Sequence, residues 1–494
     1  MSELPVRRRL DRTLVRAQAR LEAGNGDRFI PFAVTLGLAA VLASAGLARV
    51  ESLATGVDLA GYSQALWLLG RGNRPEASLF GSGVHLLELH WSFVLYPLAL
   101  VGRLTDPARL LMVTQAVALS ATVLPLWWLA RRVAKLRIGA ATAVVLTFAL
   151  HPATHALGTA DFQPEAMAVP AIVAMAYFGA TRKWVGYWLC IALALACRAD
   201  LGLAIGLWGF VVLGNRHRTV ALWTLGIGFV WSLGLLMVLQ PLVSDGGMVV
   251  GSFGIDGSSL SDQLLTSARS PVETIQALLD RENIELLVAL LAPLIFLPLL
   301  SLRHLVPALP LAVIYLIADI PVLGTEVERA AMLLAFMIIA APMALNRLGN
   351  MGVDRVFLDV RILTTLLAAA VLTSVASSPI SPYERPWQWG RLDATDEAIL
   401  AAVAMLDDET PVRASPSALV SLSERPWLFT LDPDAVPTAA QAAFPGFTRA
   451  VLLVEREIPE WSDVERLRFD RGMESLGFEV VLDDPAGVTL YTRS

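Results

Sequence analysis

Long apolar runs decide what this chain can fold into. Several stretches, near 29–49, 108–130 and 138–157 among them, carry few or no charges over about 20 residues, the length that crosses a bilayer. Inside hydrocarbon every backbone N–H and C=O must be satisfied within the protein, so such runs are helical. They are too long and too evenly apolar for the strands of a barrel. Composition agrees, with 55% hydrophobic and 17% charged residues, against about 25% charged in a soluble protein. The fold class expected is a polytopic α-helical membrane protein. Cys190 and Cys197 share one apolar segment, seven residues apart on roughly one helix face, which points to packing and implies no disulfide framework.

Charge gives the expected topology. The first 28 residues hold seven arginines and four acids with no cleavage pattern after them, so 1–28 reads as a cytoplasmic basic arm before an uncleaved anchor. Eleven spans follow, at about 29–49, 108–130, 138–157, 166–181, two within 184–214, 219–243, 286–302, 305–322, 330–345 and 358–377. The apolar stretch 184–214 would rise roughly 45 Å as one helix, too long for a ~30 Å core. It is therefore read as a broken hairpin interrupted at Arg198-Ala199-Asp200. Clusters such as Arg131, Arg132, Lys135 and Arg137 mark the inside turns. The transmembrane part is assigned to 29–378, with outer loops at 50–107 and 244–285. Residues 62–70 read as a short amphipathic helix at the interface.

From about 379 the composition changes. Residues 380–494 hold 10 basic and 20 acidic side chains, a net of −10, and the remaining 28 basic and 24 acidic give +4. Apolar runs at 417–422, 449–454, 478–482 and 487–491 read as strands, and 393–406 and 461–475 as helices. This alternation predicts a small α/β domain over 379–494. An odd number of spans places it on the extracytoplasmic side.

Polar residues at span boundaries are the candidates for chemistry, since charge there is expensive. Asp58 follows the first span and has a plain alternative as the N-cap of a helix starting near 60. His85 and Glu88 share a helix face by spacing, and with His90 could hold a divalent cation, although the spacing matches no zinc signature. Asp161 and Glu165 flank Pro164, with His155 nearby. They could form a carboxylate cluster with Asp58 or simply begin a helix. Arg198 and Asp200 could receive an anionic ligand or neutralise one another. Glu326, Glu328 and Arg329 sit in a short outer loop. The expected outer-side set is Asp58, His90, Asp161, Glu165, Arg198 and Asp200, gathered in one pocket.

The runs from Asp58 to Gln64, His90-Trp91-Ser92, Asp161-Phe162-Gln163-Pro164-Glu165 and Cys197-Arg198-Ala199-Asp200-Leu201 resemble a bacterial membrane family, domain of unknown function 2079. The run Val412 to Ser415 and that from Leu422 to Pro426 are similar to its tail. That family is grouped with GT-C glycosyltransferases, so the resemblance implies a GT-C-like architecture in the bacterial plasma membrane. It implies transfer of a sugar from a polyprenyl-phosphate donor to an extracytoplasmic cell-envelope acceptor, a glycan or glycolipid. Asp58 stands at the family's essential acidic position, and Arg198, with Tyr62 and Gln64, falls to the donor phosphate. His85, Glu88, His90, His155, Asp161, Gln163, Glu165 and Asp200 would line the pocket. Partners would be membrane lipids, the lipid-linked donor and the acceptor, with no nucleic acid. The chain departs from the family at Gln163 (usually His), at Leu89 (usually Asp) and at Arg198-Ala199-Asp200 (usually Lys-Glu-Asp). Two other readings stand beside this one. The broken hairpin would suit a transporter or flippase of a lipid-linked glycan, and the tail would suit a non-catalytic envelope scaffold.

Overall fold

In a computed structural model, which describes residues 24–81, 85–87, 91–239, 242, 276, 279–317, 331–352, 355–431, 448–458 and 461–493, the first apolar run is one continuous helix, α1 (Gly26–Glu51). Beyond it lie α2 (Val57–Gly70), α3 (Leu95–Gly102), α4 (Pro107–Val133), α5 (Ile138–Ala149) and α6 (Pro152–Thr159). Next come α7 (Pro164–Ala180), α8 (Trp184–Cys197), α9 (Leu201–Leu213), α10 (Arg218–Leu236), α11 (Arg281–Leu294), α12 (Leu297–Val313), α13 (Met332–Leu348) and α14 (Val360–Ser377). Contacts group the chain into two units. One holds residues 1–43, 115–159 and 163–385, and the other holds 44–114, 160–162 and 386–494.

Among the described residues four helices are long and apolar enough to cross a membrane: Gly26–Glu51, Pro107–Val133, Arg218–Leu236 and Val360–Gln388. The number rises to six if each bent pair counts as one span. One pair, α5 and α6, meets at 46°, where Pro152 has no N–H to continue the ladder and instead opens the next helix. The other, α11 and α12, meets at 85°, where Ile295 and Phe296 take left-handed φ angles of 45° and 57°. Eleven spans are not shown. The segments expected to span near 166–181, within 184–214 and near 330–345 are helices of 10–17 residues. The 14-residue α8 rises only about 21 Å, short of a ~30 Å core. Residues 318–322 of another expected span lie outside the described residues. So do the arm before residue 24, most of the loop 244–285, and Glu326, Glu328 and Arg329.

In the first unit α13 is the buried centre. Its sequence is apolar on every side up to Leu345, and from Met332 to Leu345 every residue but Met343 is buried. Helix α7 packs on α8, and α14 on α5. Arg131, itself buried, holds the start of α1 through Asp27 at 2.6 and 2.8 Å and caps the Leu136 carbonyl at 2.8 Å. The break expected at Arg198-Ala199-Asp200 is present between α8 and α9, with Arg198 in extended conformation. Helices α9 and α10 then cross at glycines. A Cβ on Gly202 would overlap the Gly228 carbonyl oxygen, and one on Gly228 would overlap that of Gly202. Only glycine permits that backbone approach.

In the second unit a five-stranded mixed sheet has the order β4-β3-β5-β7-β6, formed by β3 (Val412–Ala414), β4 (Leu428–Thr430), β5 (Ala450–Val454), β6 (Glu479–Asp484) and β7 (Val488–Thr492); β1 (Asn350–Met351) and β2 (Val356–Phe357) form a separate ribbon in the first unit. Strand β3 is parallel to β4 and β5, whereas β7 is antiparallel to β5 and β6. Helices α15 (Ala394–Ala404) and α16 (Asp463–Ser475) each begin with a reciprocal capping box, Asp393 with Asp396 and Ser462 with Glu465. Phe469 and Met473 of α16 join Val451, Leu453, Phe478 and Tyr491 in one core. This sheet content fits the alternation expected of the tail, with one correction. The run at 417–422 is a helical turn begun by Pro416, and the strands lie on either side of it. Its length of six apolar and small residues suits either structure, and periodicity does not separate them.

Gly202→Ala and Gly228→Ala are each expected to lower the thermal unfolding midpoint in detergent, at a cost of about 1–3 kcal/mol. Gly226→Ala, on the same α10 but with nothing within 4 Å of the added carbon, should leave the midpoint unchanged or raise it.

Candidate functional site

Asp58 lies in the first turn of α2 and is half-buried. It does not cap the helix, as one reading of the sequence allowed. The N-cap is Gly56, which has no side chain to offer, and the oxygen comes from Asp161 more than a hundred residues away. Asp161 Oδ2 accepts the backbone N–H of Gly56 at 2.8 Å and that of Leu59 at 3.3 Å. A Cβ at Gly56 would lie 2.9 Å from that oxygen, so the glycine makes room for the carboxylate. Arg49 stands 3.8 Å from the other Asp161 oxygen and donates twice to the Ala54 carbonyl at 3.1 and 2.7 Å. Two carboxylates thus serve one helix N-terminus, where the backbone dipole favours negative charge.

Eleven of the 14 residues of α2 are buried, so it is not the interfacial helix with one apolar face expected at 62–70. Tyr62 is wedged between the edges of Phe80 and Phe162, each ring centroid 5.5 Å away. Gln64, expected at a donor phosphate, is fully buried with both ends of its amide engaged. Nε2 donates to Ser78 Oγ at 3.1 Å and to the carbonyls of Arg425 and Pro426 at 3.0 and 3.3 Å, and Oε1 accepts the Leu79 N–H at 3.4 Å. That amide has no bond left to give a phosphate. His85 is half-buried in an isolated bridge with Glu76, and its Nδ1 accepts the Leu87 N–H at 3.1 Å. Glu88 and His90 lie outside the described residues.

The first unit holds a second group. Arg198 directs Nε at both oxygens of Asp200, at 3.0 and 3.1 Å, and Nη1 at Glu165 Oε1, at 2.7 Å. The three side chains are 12%, 1% and 7% exposed, so this is a buried triad with one cation and two carboxylates. Glu165 Oε2 is buried with no hydrogen-bond partner among the described residues. The extended turn that presents Arg198 is fixed by Ser232 Oγ, which donates to the Ala199 carbonyl at 2.6 Å. Gln163 donates its backbone N–H to Gln115 Oε1 at 2.7 Å.

His155 stands within α6. A carbonyl can only accept, so its Nε2, 2.7 Å from the Ala149 oxygen, carries the proton, and its Nδ1 accepts from Ser378 Oγ at 2.7 Å. It borders an apolar cavity of about 390 Å³ lined also by Leu38, Ala149, Val375 and Ser381. Among the described residues no group of three or more His, Cys, Asp or Glu side chains is placed to hold a metal ion.

The predicted residues therefore form two described groups, Asp58 with Asp161 and Tyr62 at the start of α2, and Glu165 with Arg198 and Asp200 at the α8–α9 break. Sequence reasoning missed Arg49, Ser63, Ser78, Gln115, Ser378 and Ser423. Gln115 was findable as an amide inside an apolar run. The serines gave no such signal.

No curated protein matches the chain. The crystal structure of ArnT from Cupriavidus metallidurans bound to undecaprenyl phosphate is similar over 93% of this chain and 97% of that one, with TM-score 0.54 and 12% identity. Its apo form is similar over the same shares, with TM-score 0.52 and 13% identity. At such identity the likeness is one of fold, and the helical architecture is GT-C-like. Residues 49–429, most of the chain, match the family described as "Predicted membrane protein (DUF2079)", and the protein belongs to that family.

Proposed function

We propose that the protein is an integral-membrane GT-C glycosyltransferase that moves a sugar from a polyprenyl-phosphate donor to an extracytoplasmic cell-envelope glycan or glycolipid. Asp58 would act as the base. The acceptor hydroxyl gives its proton to the Asp58 carboxylate as its oxygen bonds to the anomeric carbon. The bond from that carbon to the phosphate oxygen breaks, and polyprenyl phosphate leaves with the electron pair. The observation that carries this reading is a half-buried carboxylate on an otherwise buried helix whose N-terminus a second carboxylate already caps. Asp161 accepts the backbone N–H groups of Gly56 and Leu59, and Asp58 lies half-buried in the first turn beside it. The fold shared with a protein that binds undecaprenyl phosphate supports the donor class.

Arg198 is the proposed contact to the donor phosphate, with Glu165 and Asp200 setting the plane of its guanidinium. Tyr62 would support the helix that carries Asp58 through its ring contacts. Residues 379–494 are proposed as an extracytoplasmic domain that guides the acceptor, 1–28 as a cytoplasmic arm, and 29–378 as the membrane part. No step is assigned to a metal ion.

The test is turnover of a panel of undecaprenyl-phosphate-linked sugars by the purified chain in proteoliposomes, read as release of undecaprenyl phosphate. Asp58→Asn is expected to cut turnover by about 10²–10⁴-fold while leaving expression intact. Full turnover would remove the base assignment, and labelled lipid crossing the bilayer uncleaved would favour a flippase. Asp161→Ala should instead lower the midpoint, at about 0.5–2 kcal/mol, because a helix cap is lost. Arg198→Ala strands two buried carboxylates and should cost about 3–5 kcal/mol. Arg198→Lys keeps the charge but not the fork, and should raise the donor KM with a smaller loss of stability.

A further inference from the structure

A buried polar cluster joins α2 to the turn before β4. Ser78 Oγ accepts the Leu428 N–H at 2.8 Å and donates to the Leu428 carbonyl at 2.7 Å, as a neighbouring strand would. Strand β4 is an edge of the five-stranded sheet, so this hydroxyl closes its exposed ladder at that residue. Gln64 spans the gap between them, since its amide donates at once to Ser78 Oγ and to the Arg425 and Pro426 carbonyls. At the residue before Gln64, Ser63 Oγ lies 2.9 Å from Ser423 Oγ. Ser63, Gln64, Ser78 and Ser423 are all buried. Arg425 in turn pins the same segment by donating to the carbonyls of Leu422, Asp407 and Thr410 at 2.8–3.2 Å.

Backbone carbonyls removed from water must be paired, and a lone unmet acceptor is costly. Neither side of this cluster can leave without stranding such groups on the other. We propose that Gln64 is a positioning residue that latches the Asp58 helix to the edge of the C-terminal sheet, so that order in residues 412–431 sets the place of Asp58. The consequence for catalysis rests on Asp58 being the base. The latch itself does not.

The full chain is compared with Gln64→Leu and the milder Ser423→Ala in lipid nanodiscs. Amide hydrogen exchange is measured over residues 57–70, 412–431 and, as a reference, 332–348. In Gln64→Leu, exchange in 57–70 and 412–431 should rise together by about tenfold while 332–348 is unmoved, with Ser423→Ala giving the same pattern more weakly. A rise confined to one of the two segments, or in neither, overturns the latch. A uniform rise in all three means global destabilisation and also overturns it. With a donor the wild-type chain turns over, Gln64→Leu should lower kcat about tenfold at unchanged donor KM, because the base is displaced and donor contacts are kept. Coupled exchange with unchanged kcat overturns the positioning role. Coupled exchange in a wild-type chain that turns over no donor supports the latch and removes the glycosyltransferase reading.

Discussion

Charge taken out of water must find a partner, and that demand shapes both described groups. At the start of α2 the partner is a helix terminus: backbone N–H groups of Gly56 and Leu59 converge on one oxygen of Asp161, and Arg49 approaches the other. A helix that begins at a glycine N-cap has no side chain of its own to satisfy its first N–H groups. Here the cap arrives from residue 161, so the start of α2 depends on a contact about a hundred residues along the chain. The α2 helix is a tertiary product, and its sequence needs no amphipathic face because it is covered nearly all round.

At the α8–α9 break the partner of each charge is another side chain. One guanidinium between two carboxylates leaves a surplus negative charge in a buried setting, and Glu165 Oε2 lacks a partner among the described residues. Such a triad is weak support for stability, since desolvating three ions cancels much of their attraction. A chain selected for stability alone would fill this space with hydrocarbon. Groups kept at that cost are candidates for a functional site.

The helical class was legible because hydrophobic run length is a one-dimensional signal. The break at Arg198-Ala199-Asp200 was legible for the same reason, as two charges in an apolar run. Eleven spans were not a safe count. Run length says how much chain avoids water, and a segment such as α13 avoids it by burial inside protein as well as by exposure to lipid. In the tail, strands β5, β6 and β7 and both helices stood close to their expected places, whereas β3 and β4, three residues each, are shorter than any periodicity can mark. Asp161 as the cap of a distant helix, and Gln64 as a tie across some 360 residues, could not be read locally. The identity of a partner far along the chain is not written near the residue that needs it.

The same reasoning separates structural polar residues from those available for chemistry. His155 has an acceptor on one nitrogen and a donor on the other, which accounts for an imidazole within an apolar helix without any reaction. Gln64 and Asp161 are likewise explained by the bonds they make. Asp58 differs in its exposure: it is half-buried in the first turn of α2, whereas its neighbours along the helix from Leu59 to Leu68 are buried. The backbone dipole at a helix N-terminus favours negative charge, a setting that suits a carboxylate acting as a base.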